Sequence, residues 1–305
     1  AMSLLFEPIR RLTSVNAVIQ KGLAASKSIF TLLSLEEENQ TQSSTTNINN
    51  NFFKILNKSK PLIMFKNVFF KYPNQKDFAL NGISFNVYQN ESLGIVGISG
   101  SGKSTVINLL TGFYKKIDGS ILINSKNIEE IPLKILRKKF SWVGQPIILF
   151  DDTIRANILV GKSDANDKEI FNALEKSNSH DFVRSLDKQL DFNIGANGTF
   201  LSSGQCQRIA IARAIIRNAP IFLFDEATSA LDSQSEKIIQ ESLQKIKKNK
   251  TVITIAHRIS TVKDCDRILV FESGKIVQVG SHEELVLKDG VYKNLVNGTN
   301  KKTII

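Results

Sequence analysis

The sequence predicts an α/β fold in which a mainly parallel sheet is flanked by helices. Short apolar runs rich in β-branched and aromatic residues alternate with segments of helical periodicity, an order typical of such sheets. One of these runs leads directly into a glycine-rich loop at residues 97–104. The chain has 305 residues, of which 42% are hydrophobic, enough to bury one large core without disulfides. We therefore expect one main domain with an extension.

The strands of the predicted sheet are short and begin after residue 61. Their boundaries are set by turn residues and by the change from β-rich to helical patterning. The predicted strands are residues 62–72, 82–88, 92–96, 142–144, 221–224, 251–256 and 267–271. Trp142 and the phenylalanine-rich runs are expected in the core, because aromatic residues at strand spacing generally lie there.

The first 60 residues differ in pattern from the rest of the chain. Apolar residues recur at helical spacing up to about residue 35, which predicts one long helix. Periodicity leaves two interpretations open: an amphipathic helix that packs on the domain, or the cytoplasmic end of a transmembrane helix. Residues 36–60 are polar and of low complexity, which predicts a flexible linker. The main domain then covers 61–298, and residues 299–305 form a tail.

Charge and cysteine content exclude some classes of protein. The formal net charge is +11, which could attract nucleic acid or an anionic membrane surface. The lysines are scattered and do not alternate with stacking aromatics, so no nucleic acid partner is predicted. Cys206 and Cys265 have no CxxC spacing, which predicts neither disulfides nor a zinc site and fits a reducing, cytosolic setting. Since Ala1 stands in place of Met, we expect a piece of a longer chain or a residue left by cloning.

The glycine-rich loop satisfies the pattern G-x-x-x-x-G-K-[ST]. In this pattern glycines let backbone N–H groups surround a phosphate, while the following helix presents its positive end. Lys103 should reach the β and γ phosphates of a nucleotide, and Ser104 should ligate Mg2+. A merely tight turn is the alternative. The candidate nucleotide contacts are Ser99, Gly100, Gly102, Lys103, Ser104 and Thr105.

Two carboxylates follow the apolar run at 221–224. Asp225 is the candidate metal ligand and Glu226 the candidate base that activates water, because one acid can hold Mg2+ while the next accepts a proton. A solvated turn is the alternative interpretation. The position of the two carboxylates after a phosphate loop in the same chain favours the functional interpretation.

Residues 201–214, LSSGQCQRIAIARA, resemble the signature segment of ABC ATPases. In that family two domains face each other head to tail, and each ATP lies between the phosphate loop of one and the signature of the other. The resemblance implies that Ser202, Gly204 and Gln205 contact ATP held by a second copy of the domain.

Further matches follow in the order of the family. Gln145 resembles the Q-loop glutamine, a catalytic and metal contact, and Asp232 ends a segment similar to the D-loop that meets its twin across the dimer. His257 resembles the switch histidine that contacts the γ phosphate. Tyr72 takes the place of the aromatic residue that stacks on adenine. In isolation, Tyr72 could be an edge-strand residue, Gln145 a turn residue and His257 a satisfied histidine at a strand end.

The resemblance also implies an architecture and a cellular role. It implies a P-loop NTPase-type sheet, an antiparallel β subdomain and a helical signature subdomain at about 145–217. It extends into residues 1–35, which resemble the end of the last transmembrane helix and connector of exporters. The pattern is most similar to homodimeric half-transporters that flip lipid A-core at the bacterial inner membrane. The implied cofactors are ATP and Mg2+. The implied partners are a second copy, a transmembrane domain and, through it, a lipid, with the ATPase on the cytoplasmic face of the membrane.

Three other functions stay open at this point: export of drugs or peptides, an ABC ATPase acting on nucleic acid or ribosomes, and a decayed remnant.

Several positions depart from the family pattern. Ser203 replaces a glycine, which would strain the loop by about 1–3 kcal/mol if the position required a positive φ. Cys206 stands where arginine is common, and Ala196 replaces a glutamate that in exporters meets the membrane domain. We expect hydrolysis to survive the change at Ala196 and coupling to weaken.

The remaining histidines have no predicted catalytic role. His180 is expected at the surface. His282 follows Ser281 in a capping-box pattern completed by Glu284.

Overall fold

The computed structural model describes residues 3–35, 38, 60–226, 233–247 and 250–298. Contacts divide the chain into two compact units, Ala1–Gln42 and Ser43–Ile305. Apart from Glu38 and Lys60, the predicted linker lies outside the described residues. The predicted tail at 299–305 also lies outside them.

The first unit contains one continuous helix, α1 (Ser3–Leu33). The predicted long helix is therefore present, and its C-terminal part carries hydroxyl side chains that bond back to the preceding turn. Thr31 Oγ1 donates to Lys27 O at 2.7 Å, a common arrangement for threonine inside a helix. None of the helices in the described part of the chain combines the length and the apolar character needed to cross a bilayer.

The second unit contains two sheets and the helices that cover them. The strands are β1 (Ile63–Phe70), β2 (Leu80–Val87), β3 (Ser92–Gly97), β4 (Asp118–Ile123), β5 (Lys126–Asn127), β6 (Phe140–Val143), β7 (Ile221–Asp225), β8 (Thr251–Ile255), β9 (Arg267–Glu272) and β10 (Lys275–Gly280). The helices are α2 (Lys103–Leu110), α3 (Leu133–Arg137), α4 (Ile154–Leu159), α5 (Asp167–Lys176), α6 (His180–Arg184), α7 (Ser203–Arg217), α8 (Ser233–Lys247), α9 (Ile259–Val262), α10 (His282–Leu287) and α11 (Val291–Val296).

The larger sheet has the order β10-β9-β3-β8-β7-β6. Its strands pair in parallel from β6 to β9, and β10 is antiparallel to β9. Strands β3, β7 and β8 therefore lie side by side in the middle of the sheet. Because they run in the same direction, the segments that follow them meet at one edge, where ligands bind in sheets of this kind.

The smaller sheet is antiparallel, with the order β2-β1-β4-β5. Its apolar residues and one face of the larger sheet form the main core together with α2. Phe65 and Phe85 stack there with ring centroids 4.5 Å apart. A separate core joins helices α4, α5, α6 and α7, and includes Ile158, Leu174 and Ile209.

The predicted fold class is confirmed: a mainly parallel sheet with flanking helices, an antiparallel sheet and a helical part. Strands β4, β5 and β10 were not predicted from the sequence. Ser273 and Gly274 both have positive φ and join β9 to β10, so this Ser-Gly pair was a hairpin signal.

The prediction that Trp142 and the phenylalanines lie in the core is only partly right. Trp142 is 43% exposed, because β6 is an edge strand and this side chain points away from the buried face; its ring contacts Phe113, with centroids 5.8 Å apart. Phe65 and Phe85 are buried, as predicted. Among the described residues, the exposed phenylalanines are Phe30 in α1 and Phe78, Phe113, Phe150 and Phe200 in the second unit.

Candidate functional site

The glycine-rich loop lies between β3 and α2, at the centre of the larger sheet. Gly100 and Gly102 have φ of 76° and 99°, which L side chains rarely adopt. A Cβ at Gly102 would lie 2.2 Å from Ala79 O, whereas a Cβ at Gly100 would meet nothing within 4 Å. Gly102 is therefore required by close packing, and Gly100 leaves one side of the loop open to a ligand.

Lys103, the first residue of α2, folds back over this loop. Its Nζ donates hydrogen bonds to Gly97 O at 3.0 Å and to Ile98 O at 2.9 Å. Burial lowers the pKa of this ammonium, and the negative charges of Glu226 and Asp225 act in the opposite direction. The two carbonyls carry only partial negative charge, so a phosphate would be a stronger partner for the Lys103 ammonium.

Ser104 and Asp225 place two oxygen atoms together at the ends of neighbouring elements. Ser104 Oγ donates to Asp225 Oδ1 at 3.1 Å. Burial raises the pKa of Asp225, and the hydrogen bond from Ser104 partly offsets this rise. Mg2+ prefers oxygen ligands, so this carboxylate and hydroxyl fit a small divalent cation.

Glu226 follows β7 with φ of 55°, an unusual conformation for a residue with a side chain. Its backbone N–H donates to Ile255 O at 2.9 Å, which ties the end of β7 to β8. His257 lies two residues after β8, and its Nε2 is 2.6 Å from Glu226 Oε1. The candidate base and the candidate switch histidine are therefore in direct contact, a pairing that was not predicted.

A cleft of about 340 Å³ brings most of the predicted residues together. Its predicted lining residues are Tyr72, Ser99, Gly100, Gly102, Lys103, Ser104, Thr105, Glu226 and His257. Gln75, Asp77, Phe78 and Ala79 also line it and were not predicted. They lie in the segment between Tyr72 and β2, which carries no motif of its own.

Tyr72 has a fixed ring at this cleft. Its hydroxyl lies 3.1 Å from Thr105 Oγ1 and accepts a hydrogen bond from Asn108 Nδ2 at 3.0 Å. The ring meets Phe70 and Tyr114 edge to face, with centroids 4.8 Å and 5.0 Å away. These contacts hold the ring rigidly, and the hydroxyl is already engaged by Thr105 and Asn108. The flat face of the ring is therefore the part suited to contact a ligand. No local pattern indicated the role of Asn108.

Gln145 is exposed and lies outside the lining of the cleft. It follows β6, whose Val143 pairs with Phe224 of β7, so Gln145 lies at the same edge of the sheet as Glu226. Its peptide bond to Pro146 is cis. The structure therefore places Gln145 just after the strand that neighbours β7, whose last residue is the candidate metal ligand Asp225.

The signature residues form the N-terminus of α7 and are likewise outside this lining. Ser202 Oγ accepts from the Gln205 N–H at 3.2 Å, and Gln205 Oε1 accepts from the Ser202 N–H at 2.9 Å. This reciprocal pair is a capping box. Ser202 and Ser203 are exposed, while Gly204 is buried. The other member of the predicted nucleotide site, Asp232, lies outside the described residues.

The departures from the family pattern have simple structural settings. Ser203 is helical and has no positive φ, so the strain considered for this position does not arise. Ala196 is exposed at the start of a short 3-10 turn. Cys206 is buried against this turn, with its Sγ 3.6 Å from Gly198 O, and burial raises the pKa of its thiol.

The two other histidines differ in their outcome. His180 was predicted at the surface but is half-buried, because its ring contacts Phe171. Ser281 and Glu284 form the predicted capping box, and His282 Nδ1 lies 2.8 Å from the Tyr292 hydroxyl.

Comparison with known proteins agrees with this geometry. A protein-family model described as ABC transporter matches residues 80–229. The chain is 45% identical over 296 residues to an ATP-dependent lipid A-core flippase of Haemophilus ducreyi, covering 97% of this chain and 49% of that protein. It is 43% identical over 305 residues to ATP-dependent lipid A-core flippase 1 of Colwellia psychrerythraea, covering 96% and 49%.

A solved structure of a bacterial Atm1-family ABC exporter with ATP bound has a TM-score of 0.80 and 35% identity, covering 98% of this chain and 51% of that one. The chain spans about half the length of the curated relatives it matches. It carries a nucleotide-binding domain of the ABC transporter family.

Proposed function

We propose that this chain hydrolyses ATP and that closure of two copies around ATP powers an exporter. One observation carries the proposal: a single cleft joins an open glycine loop, the Lys103 ammonium and the Glu226–His257 pair. The first two suit a triphosphate, and the third suits the activation of water. The alternative of a nucleotide-binding module without hydrolysis does not account for a carboxylate held against a histidine.

The binding half of the reaction uses the loop and α2. The backbone N–H groups around Gly100 and the Lys103 ammonium hold the phosphates, and the ring of Tyr72 stacks on adenine. Ser104 and Asp225 would hold Mg2+, and the family resemblance adds Gln145, which lies after β6, as a further contact. Mg2+ held there would neutralise charge on the phosphate oxygens.

The chemical half uses Glu226. Its carboxylate accepts a proton from water as the water oxygen bonds to the γ phosphorus and the bond to the β–γ bridging oxygen breaks. His257, 2.6 Å away, orients this carboxylate and contacts the γ phosphate. Most of the rate increase comes from positioning, as is general for phosphoryl transfer.

A second copy of the chain completes the site. Ser202 is exposed and, with Gly204 and Gln205, lies outside the cleft of its own chain. These residues therefore act on ATP bound by the partner copy in a head-to-tail homodimer, and the family resemblance adds Asp232 to them. The N-terminus of α7 directs its positive end to the γ phosphate of that ATP.

The cargo that we propose is a lipid of the lipid A-core class. The support is the similarity to two lipid A-core flippases, at 45% and 43% identity, which extends through almost all of this chain. In this proposal the chain works on the cytoplasmic face of the bacterial inner membrane, joined to a transmembrane domain to which α1 leads. Drug or peptide export is the alternative outcome.

The test of hydrolysis is Glu226→Gln, which preserves size and removes the base. We expect kcat to fall by about 10² to 10⁴, while Mg-ATP still binds and produces a dimer detected by light scattering. Glu272→Gln is the matched control, because Glu272 is an exposed carboxylate at the end of β9. Hydrolysis by E226Q at the wild-type rate would remove Glu226 from its role, and absence of hydrolysis in the wild type would contradict the proposed function.

A further inference from the structure

A carboxylate outside the cleft holds the loop that carries His257. Glu236 lies in the first turn of α8, and its side chain is only 13% exposed. It forms an ion pair with the Arg258 guanidinium through Oε2. Its Oε1 accepts hydrogen bonds from Ser260 Oγ at 2.8 Å and from Gln240 Nε2 at 3.0 Å. Both oxygens of a largely buried carboxylate are thus used.

These partners bracket the start of α9. Arg258 is the N-cap of α9 and directly follows His257, while Ser260 is the second residue of the helix. Glu236 therefore fixes the chain on both sides of Ile259. The position of the His257 ring depends on this backbone, and with the backbone held in this way its Nε2 lies 2.6 Å from Glu226 Oε1.

The same face of α8 holds the segment further along. Gln244 Nε2 donates to Asp264 Oδ2 at 2.8 Å, and Lys247 Nζ lies 3.5 Å from Cys265 Sγ. These later contacts are exposed or involve a weak acceptor, so they hold the segment less firmly than a charge pair whose carboxylate is largely buried. The strong attachment is at the end nearest to His257.

We propose that Glu236 is a positioning residue for ATP hydrolysis: through Arg258 and Ser260 it fixes the loop so that His257 contacts Glu226. Glu236, Arg258 and Ser260 are all outside the residues that line the cleft. The effect therefore falls on the chemical step and not on binding of ATP. This inference rests on the proposed function.

The first experiment measures kcat and KM for ATP with the 305-residue chain. Displacement of a reacting group by about 1 Å can cost about 10²-fold, so a partial release in Glu236→Gln should lower kcat by about tenfold. KM should stay within about twofold of the wild type, since the residues that bind ATP are untouched. Glu236→Asp keeps the charge and should recover most of kcat.

Two further variants separate positioning from folding. Glu241→Gln is the matched control, because Glu241 is an exposed carboxylate on the same helix, and it should behave as wild type. Ser260→Ala removes one exposed donor and should lower kcat by about threefold with the fold intact, as expected for one lost hydrogen bond. A wild-type kcat in both E236Q and S260A would overturn the inference. So would a rise in KM of E236Q as large as its fall in kcat.

A measurement without hydrolysis keeps this test independent of the proposed function. In chains labelled with 15N-histidine, the ring signals of His257 should shift in E236Q and stay in place in E241Q. If the wild type fails to hydrolyse ATP, the proposed function fails and this spectrum alone decides whether Glu236 positions His257. Unchanged His257 signals in E236Q would exclude that role.

Discussion

Glu226 shows how a single backbone angle determines what a side chain can do. The sequence places it after a buried strand, but its φ of 55° and the hydrogen bond from its N–H to Ile255 O direct its carboxylate to His257. Such a conformation costs about 1–3 kcal/mol and persists where surrounding contacts impose it. The strain lies at the residue proposed as the base.

Ser203 is the residue whose setting allows a direct prediction of stability. It begins α7 without a positive φ, so the glycine usual in the family would relieve no strain here. Because glycine loses more backbone entropy than serine in a helix, Ser203→Gly should lower the free energy of unfolding by about 0.5 kcal/mol. Urea denaturation measures this change.

The comparison variant for that measurement is Asn197→Gly. Asn197 is exposed and has φ of 53°, where glycine is favoured, so this variant should not lose stability. An increase in stability of S203G would show that Ser203 is strained.

At the scale of elements, α4 and α7 together hold the loop that follows Gln145. Asn157 of α4 is fully buried; its side chain accepts from the Phe150 N–H at 2.9 Å and donates to Phe150 O at 3.0 Å. Arg213 of α7 donates to Ile148 O at 3.0 Å and to Asn157 Oδ1 at 2.7 Å. One buried amide thus connects two helices and the loop.

Asn157→Ala should lower the free energy of unfolding by about 2–3 kcal/mol, because it leaves the Phe150 N–H and part of the Arg213 guanidinium without partners. Urea denaturation followed by circular dichroism provides the measurement. Asn172→Ala, at an exposed position of α5, should stay within about 0.5 kcal/mol of the wild type. Equal stability of the two variants would show that water replaces the buried hydrogen bonds.

At the scale of the whole molecule, we expect hydrolysis to be coupled to movement of a lipid. A chimaera would test this, in which this chain replaces the matching half of the Haemophilus ducreyi flippase. In lipid vesicles, we expect Mg-ATP to drive flipping of a lipid A-core lipid, and Glu226→Gln to abolish it. The assay measures the fraction of lipid that becomes accessible on the opposite leaflet.

The exposed Ala196 supplies the matched comparison for coupling. Since a missing carboxylate at this turn should weaken contact with the membrane domain, Ala196→Glu should increase the lipid flipped per ATP while leaving kcat unchanged. A chimaera that hydrolyses ATP but flips no lipid, even with A196E, would contradict the lipid proposal and favour another cargo.

The sequence by itself determined the fold class and most of the residues that line the cleft. Gly102 can be identified from sequence because only glycine fits its conformation and its close approach to Ala79, so the glycine itself is the pattern. Asp225 can be identified because it ends a continuous apolar run, the pattern of a buried strand. Local constraints of this kind leave a pattern within a few residues. Asn108, Gln75 and Phe78 carry no such pattern, so their roles were missed.

Only the tertiary structure decided which distant residues meet. The Glu226–His257 and Glu236–Arg258 pairs join segments that are adjacent because β7 lies beside β8, and Trp142 is exposed because β6 is the edge strand. The order of strands follows from packing of helices on both faces of the sheet and not from the pattern within any strand. Contacts across that order therefore became visible only once the sheet was assembled.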